Sequence, residues 1–229
     1  MPIDPFAIKS KPKWHPFRLM RTAEMRLQDY ISRRNYDRYE IPQKRPGGSI
    51  DPPEIDTQNT SVTAAQMGYL LTGLRETESL AGTVVAEVGC FRGVTTRTIA
   101  GNTRRRVIAV DPYMGYGGSE SDYAIFKSNV SGLENVTHER KTSGRAVAEW
   151  NHGPVGFVFI DAVHDYANTS FDLEIWKSRM ARGAIMALHD TDNPQFAGTR
   201  RAAFEGLRGM DLYGHTDNLV LLRKPAGSP

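Results

Sequence analysis

Five short apolar runs alternate with helical segments between residues 83 and 208, and this alternation restricts the fold more than any other feature of the sequence. The runs are TVVAEVGC (83–90), RVIAVDPY (106–113), NVTHERK (135–141), VGFVFID (155–161) and GAIMALHD (183–190). Strands that are apolar along their length and separated by helices form parallel sheets that are covered on both faces. The closing segment, DLYGHTDNLVLLRK (211–224), predicts two strands around an Asp-Asn turn. The sequence therefore predicts an α/β, Rossmann-like doubly wound fold.

The first 59 residues differ from the rest of the chain in composition. Residues 1–16 are rich in Pro and Lys and predict an extended arm. FRLMRTAEMRLQDYISRR (17–34) has apolar side chains at helical spacing, which predicts an amphipathic helix with a basic outer face. The Pro- and Gly-rich segment 41–59 predicts a linker. We therefore expect an N-terminal extension over 1–59, whose helix packs on the domain, forms a homodimer contact or acts as a lid, and a main domain over 60–229.

Charge is distributed unevenly along the chain. Residues 1–50 contain eleven Lys or Arg against five Asp or Glu, which leaves 18 basic and 21 acidic residues for the remainder. A basic segment of this kind suits an anionic partner or a membrane surface, and it is equally typical of a solvated or partner-packed helix.

The cellular compartment is predicted from three features that the sequence lacks: a pair of cysteines, a signal peptide and a membrane-spanning segment. The single cysteine, Cys90, excludes an internal disulfide and fits a reducing environment. The N-terminal stretch has no uninterrupted apolar segment of a signal peptide, and no apolar run approaches the roughly 20 residues that span a bilayer. We therefore expect a cytoplasmic protein without a membrane span.

Glycines and acids at the ends of the first two strands predict a nucleotide-type ligand. Glu87, Gly89 and Gly93 lie where the first strand turns into a helix, and glycine allows a tight turn and a close approach of the backbone to a ligand. Asp111 follows the second strand and suits hydrogen bonds from ribose hydroxyls. The dinucleotide fingerprint G-x-G-x-x-G is not met, because Phe91 occupies the position of its second glycine.

The ordered motifs resemble class I S-adenosylmethionine-dependent methyltransferases over roughly residues 60–224. The pattern E-x-G-x-x-x-G at 87–93 resembles motif I of that superfamily, and VIAVDPY resembles its second-strand motif. FIDAVHDY and ALHDT resemble the fourth and fifth strand regions of small-molecule O-methyltransferases. The sequence departs from the usual D-G-D-H-S-Y by Ala162, Val163 and Asp165, and from the usual P-G-G turn at 182–184.

The resemblance implies a fold, a cofactor and a set of contacts. The implied sheet has seven strands, mostly parallel, with an antiparallel last strand. The implied cofactor is S-adenosylmethionine, and the implied contacts with it come from Glu87, Gly89, Gly93, Asp111, Ser143 and Asp161. Ser143 matches the position that commonly meets the adenine.

Polar residues at the ends of the fourth and fifth strands suit the activation of a hydroxyl group. A hydroxyl loses its proton more easily to a general base or when it binds a cation. Asp161, His189 and Asp190 are the candidate ligands of a divalent cation such as Mg or Mn, and His164 is the candidate base beside Asp161. The alternatives are structural: Asp190 caps the following segment, and the histidines are satisfied within the fold.

The leading hypothesis is an S-adenosylmethionine-dependent O-methyltransferase that acts on a small hydroxylated molecule of the sugar, polyketide or phenol type. A nucleic-acid methyltransferase is the less favoured enzyme, because the fourth strand ends in Asp161-Ala-Val-His in place of D/N-P-P-Y/F/W. A binding module that kept the cofactor fold and lost catalysis is the third alternative.

Overall fold

The computed structural model describes residues 4–48, 50–51, 53–115 and 118–227. Residues 1–3 of the predicted arm and positions 49 and 52 of the predicted linker lie outside the described residues. The helices of more than one turn are α1 Pro16–Arg34, α2 Ala64–Glu76, α3 Val94–Gly101, α4 Glu120–Asn129, α5 Ser143–Ala148, α6 Tyr166–Arg179 and α7 Ala197–Gly206. The strands are β1 Val84–Val88, β2 Val107–Val110, β3 Val136–Glu139, β4 Val155–Ile160, β5 Met180–His189, β6 Asp211–Thr216 and β7 Leu219–Arg223.

The strands form one seven-stranded sheet in the order β3-β2-β1-β4-β5-β7-β6. Neighbours from β3 to β5 pair in parallel, whereas β7 is antiparallel to both β5 and β6. The predicted Rossmann-like sheet with an antiparallel last strand is therefore confirmed. The predicted Asp-Asn turn is also present, since Asp217 and Asn218 join β6 to β7 with φ angles of 48° and 66°.

Apolar side chains cover both faces of the sheet, as the continuous apolar runs predict. One layer consists of α5, α6 and α7 and meets alternate strand residues such as Val158 and Met186. The opposite layer includes α2 and α3 and meets Phe157 and Ile185. Strand order reverses between β1 and β4, and in sheets of this kind ligands bind in the crevice at the carboxyl ends of the strands beside that point.

Helix α1 packs against α6 and α7. The apolar side chains Leu19, Met20, Leu27 and Tyr30 are 55–60% exposed, so the outer face of the helix carries them together with its exposed arginines. The inner face is mostly polar, and its polar groups find partners on the domain: Asp29 Oδ1 accepts from the Tyr166 backbone N–H at 3.1 Å. Periodicity defined two faces of the helix, but it could not show which face would find hydrogen-bond partners.

The chain after α1 stays in contact with the domain. Ile41 is buried, and the backbone of Lys44 exchanges two hydrogen bonds with that of His215 in β6, at 2.9 and 2.7 Å. The predicted division of the chain at residue 59 stays a prediction. In the described part of the chain, no helix has both the length and the apolar character of a membrane-crossing segment.

Candidate active site

The loop after β1 approaches β4 so closely that a side chain is excluded at Gly89. Its φ is 87°, and an added Cβ would overlap the backbone carbonyl of Asp161. Gly93, at φ 77°, starts α3, and a Cβ there would lie 2.8 Å from the ring of Phe126. Both glycines therefore shape the crevice loop. Gly89 also lines the crevice, whereas Gly93 does not, and their predicted contacts with the cofactor stay predictions.

At the crevice edge of the sheet, three non-glycine residues adopt left-handed backbone conformations. Phe91, Tyr113 and Asp190 have φ angles of 45°, 50° and 58°, and they follow β1, β2 and β5. Such conformations cost on the order of 1–3 kcal/mol each and concentrate at ligand-binding sites. No pattern of residue types in the sequence indicated this strain.

Asp111 holds the first loop in place from the end of β2. Its Oδ2 accepts hydrogen bonds from the backbone N–H groups of Cys90 and Phe91 at 3.0 and 3.2 Å, and its Oδ1 accepts from that of Tyr113 at 2.9 Å. A carboxylate has about four acceptor positions, so capacity for ribose hydroxyls remains. Asp111 lines the crevice, where the sequence predicted it.

Glu87 lies beneath the loop and does not line either of the cavities described below. It is fully buried, its Oε2 accepts a hydrogen bond from the Thr96 hydroxyl, and its Oε1 has no partner among the described residues. Burial raises the pKa of Glu87 to about 8, so the carboxyl is largely neutral at pH 7. Its predicted cofactor contact stays a prediction.

The first cavity is a cleft of about 660 Å³ at the ends of β1, β2 and β4. Four of the predicted cofactor-binding residues line it, namely Gly89, Asp111, Ser143 and Asp161. The sequence did not indicate Asp4 and Phe6 of the arm, or Asp172 of α6, which also line it. Burial raises the pKa of Asp172 to about 7. No local pattern could have revealed these residues, because only the folded chain brings the arm to the cleft.

The second cavity, of about 690 Å³, adjoins the first. The two share Gly89, Phe91, Asp161 and Ala162. The remaining lining residues are Asn59, Thr60, Ser61, Cys90, Val94, Thr95, His164 and Asp190. The site thus offers two adjoining spaces with Asp161 at their junction, which is what a transfer between two bound molecules requires.

Among the described residues, Asp161, His164 and Asp190 form a cluster that could hold a metal ion. Their candidate ligand atoms lie within 4.8 Å of one another. His164 Nε2 is 3.0 Å from Asp161 Oδ1 and 3.4 Å from Asp190 Oδ2. The group contains His164, the predicted base; the prediction of His189 as a ligand stays a prediction, and His189 is 3% exposed.

The hydrogen bonds of Gln66 determine that the Nε2 atom of His189 carries a hydrogen. Gln66 Oε1 accepts from the Thr63 backbone N–H at 2.8 Å, and its Nε2 donates to the Asp217 carbonyl at 2.6 Å. The same Oε1 lies 3.1 Å from His189 Nε2 and can only accept. His189 Nε2 therefore carries a hydrogen, and Nδ1 faces the cluster.

His189 supplies positive charge beneath the two carboxylates. Its Nδ1 lies 3.3 Å from Asp161 Oδ1 and 3.6 Å from Asp190 Oδ2, without hydrogen-bond geometry to either. Burial opposes the charged imidazole, but the two carboxylates outweigh burial and raise the pKa of His189 to about 10. Burial likewise opposes the ionised form of Asp161. The hydrogen bond from His164 and the charges of the His164 and His189 imidazoles outweigh burial, and they hold the pKa of Asp161 well below its usual range.

The turn between β6 and β7 orients Asp190 from behind. Asn218 Nδ2 donates to Asp190 Oδ1 at 2.8 Å, while Asn218 Oδ1 accepts from the Asp192 backbone N–H at 2.7 Å. The sequence identified the turn but gave no sign of its contact with the site, since 28 residues separate Asn218 from Asp190.

The sheet order and the crevice at the β1–β4 reversal define the class I methyltransferase fold. A family of methyltransferase domains matches residues 86–191, which span β1 to the end of β5. Together these findings confirm, over residues 86–191, the resemblance to class I S-adenosylmethionine-dependent methyltransferases, while the roles of the individual motifs stay predictions.

Solved structures support the fold at low sequence identity. An O-methyltransferase from Bacillus cereus in complex with S-adenosylhomocysteine is 16% identical, with a TM-score of 0.57 over 73% of this chain and 85% of that one. An S-adenosylmethionine-dependent O-methyltransferase from Thermotoga maritima is 14% identical, with a TM-score of 0.54 over 73% and 68%. TomG from Streptomyces achromogenes, an O-methyltransferase of tomaymycin synthesis in complex with S-adenosylmethionine, is 13% identical, with a TM-score of 0.51 over 86% and 89%. No curated protein matches the sequence.

Proposed function

We propose that the chain transfers a methyl group from S-adenosylmethionine to a hydroxyl of a small molecule, in a site that holds a divalent cation. The observation that carries this proposal is the Asp161–His164–Asp190 cluster, which lines the second cavity and has Asp161 at the junction with the first. The O-methyltransferases among the similar structures support oxygen as the methyl acceptor.

The cofactor fits the first cavity by the chemistry of its lining. Asp111 presents carboxylate oxygens for ribose hydroxyls, and the side chains of Phe91, Pro112 and Phe171 offer apolar surface for a purine. When bound, S-adenosylmethionine supplies a methyl group on a positively charged sulfur. The acidic residues of the crevice favour that positive charge.

The cation fits the cluster by its donor set. Two carboxylates and one imidazole match Mn, Fe or Zn better than Mg, which prefers oxygen ligands alone. A bound cation would lower the pKa of a coordinated hydroxyl. Asp161 and Asp190 would hold it, and His164 would complete the set or accept the proton of the acceptor hydroxyl.

Calorimetry and a methyl-transfer assay together test this proposal. We expect 1:1 binding of S-adenosylhomocysteine, and Mn-stimulated transfer of labelled methyl groups to at least one phenol, sugar or polyketide of a panel. Asp161→Asn should lower the transfer rate at least about 100-fold. Asp211→Asn is the matched control, because Asp211 is an exposed residue at the start of β6.

Three results would contradict parts of the proposal. Failure to bind S-adenosylhomocysteine would remove the cofactor assignment. Transfer to amines alone would remove the hydroxyl assignment. Full activity in a strong chelator, with no Mn binding by calorimetry, would remove the cation while leaving methyl transfer in place.

A further inference from the structure

Helix α1 presents an apolar stripe to solvent. Leu19, Met20, Leu27 and Tyr30 are 55–60% exposed and follow the spacing of one helical face. Trp14, two residues before the helix, is 74% exposed. Apolar side chains exposed singly are normal on protein surfaces, but a contiguous stripe marks an interaction surface.

The stripe is presented rigidly, because the polar face of α1 is anchored to the domain. Arg201 Nη1 donates to Gln28 Oε1 at 2.8 Å, and Asp29 caps the backbone of Tyr166 at the start of α6. Ser32 is fully buried in this contact. A helix held by its polar face cannot roll its apolar face inward without breaking these hydrogen bonds.

A basic rim surrounds the stripe. Six exposed Lys and Arg side chains lie on the helix or within a few residues of its ends, and in the described part of the chain none of them forms an ion pair with an acidic side chain. They are Lys11, Lys13, Arg26, Arg33, Arg34 and Arg38. The exposed acids of the same region are Glu24, Asp37 and Glu40, and Glu24 is already paired with Arg21 at 2.6 Å. The rim therefore carries net positive charge.

We propose that α1 docks the protein on an anionic membrane surface, independently of the reaction it catalyses. Exposed Trp, Tyr, Leu and Met side chains insert into the headgroup region of a bilayer, and the surrounding Lys and Arg side chains attract anionic lipids. A second copy of the chain fits less well. Two-fold pairing through the stripe would bring one basic rim against another.

Flotation of the full-length protein with vesicles tests the proposal. The probes are phosphatidylcholine vesicles with and without about 30% phosphatidylserine. We expect at least about 10-fold stronger binding to the anionic vesicles at low salt, and loss of that preference at about 1 M salt. Equal binding to both vesicle types, or no binding to either, would overturn the proposal.

Two double variants distinguish the contribution of the apolar stripe to vesicle binding from that of the basic rim. Met20→Ser/Leu27→Ser should weaken vesicle binding at least about 10-fold. Met114→Ser is its matched control, since Met114 is 63% exposed outside the helix. Arg26→Gln/Arg34→Gln should abolish the preference for anionic lipid, and Arg104→Gln/Arg182→Gln should not.

Sedimentation tests the alternative that a second copy of the chain covers the stripe. We expect the protein to have the same mass with and without Met20→Ser/Leu27→Ser in the absence of lipid. A dimer that this double substitution dissociates would assign the stripe to a second copy and overturn the membrane proposal. Because every substituted side chain is solvent-exposed, the variants should keep the thermal stability of the parent protein.

Discussion

Glu87 is a carboxylic acid buried at the end of β1, where one oxygen is bonded to Thr96 and the other has no partner in the described chain. Burial raises its pKa from 4.5 to about 8. Between these values the folded chain binds more protons than the unfolded chain. Its contribution to stability is therefore fully present below pH 4.5 and is lost as the pH rises through 8.

Glu87→Gln should remove this pH dependence while keeping an acceptor for Thr96. Between pH 5 and pH 8, the free energy of unfolding of the variant should rise by about 2–4 kcal/mol relative to that of the parent protein. Urea unfolding of the cofactor-free protein at both pH values measures the difference. Glu134→Gln, at an exposed site, is the control. Parallel pH profiles for Glu87→Gln and the parent would mean that Glu87 is ionised in the fold.

At the scale of elements, the N-terminal arm forms part of the cofactor cleft. Phe6 lines the first cavity together with Asp4 and with residues of α5 and α6. The short helix Ala7–Ser10 follows, and Arg18 of α1 holds it by donating to the Lys9 carbonyl at 3.0 Å. The arm is thus positioned by α1 rather than by the sheet.

Phe6→Ala should weaken binding of S-adenosylhomocysteine by about 5- to 20-fold, because apolar contact area in the cleft is lost. Calorimetry at constant pH measures the dissociation constant. Trp14→Ala is the matched control, since this aromatic side chain is exposed outside the cleft. Unchanged affinity in Phe6→Ala would show that the cofactor does not reach the arm.

The β6–β7 turn combines a left-handed backbone with side-chain support for Asp190. Asn218 has a φ of 66° and bonds both Asp190 and the backbone of Asp192. Glycine at this position adopts the left-handed conformation freely but lacks the side-chain hydrogen bonds. Alanine lacks these hydrogen bonds and is also strained in the left-handed conformation. The two substitutions therefore separate strain from hydrogen bonding.

We expect Asn218→Gly to cost about 1–2 kcal/mol of unfolding free energy and Asn218→Ala about 2–3 kcal/mol. Denaturant titration measures both values. If the glycine variant is as stable as the parent protein, the side-chain bonds contribute nothing. If the two variants are equal, the left-handed backbone carries no penalty for alanine.

At the scale of the whole molecule, the sequence predicted the sheet because each strand is a continuous apolar run. The motif order then indicated which strand ends meet, and it brought Gly89, Asp111 and Asp161 to one crevice. These predictions depend on local composition and on the general geometry of parallel sheets. They needed no knowledge of how distant segments pack.

Predictions that depended on long-range packing were less successful. The sequence did not indicate that the polar face of α1 would find partners on α6 and α7. The sequence also did not indicate that His164 lies with the two carboxylates while His189, bonded to Gln66, faces them from beneath. Residue type and spacing do not encode such partners when they lie more than 100 positions apart in the chain.

The buried histidine His215 joins the N-terminal extension to the sheet, and we expect the two to unfold together. His215 in β6 is 1% exposed, with Nδ1 2.9 Å from the Ile41 carbonyl and Nε2 3.0 Å from Asp192 Oδ1. Its backbone also pairs with Lys44. Tyr36 adds a bond from its hydroxyl to the Asp192 carbonyl at 2.7 Å.

His215→Phe should therefore destabilise both parts together, because it leaves the Ile41 carbonyl and the Asp192 carboxylate without their buried partner. We expect a loss of about 2–4 kcal/mol of unfolding free energy. Hydrogen exchange of His215→Phe should show the same loss of protection in residues 36–44 and in β6. Tyr36→Phe should show a smaller loss, of about 1 kcal/mol, in both segments. A contrary result would be rapid exchange of residues 36–44 in the parent protein, with His215→Phe affecting only β6. The extension would then unfold independently of the sheet, and residue 59 would mark a boundary between two units of different stability.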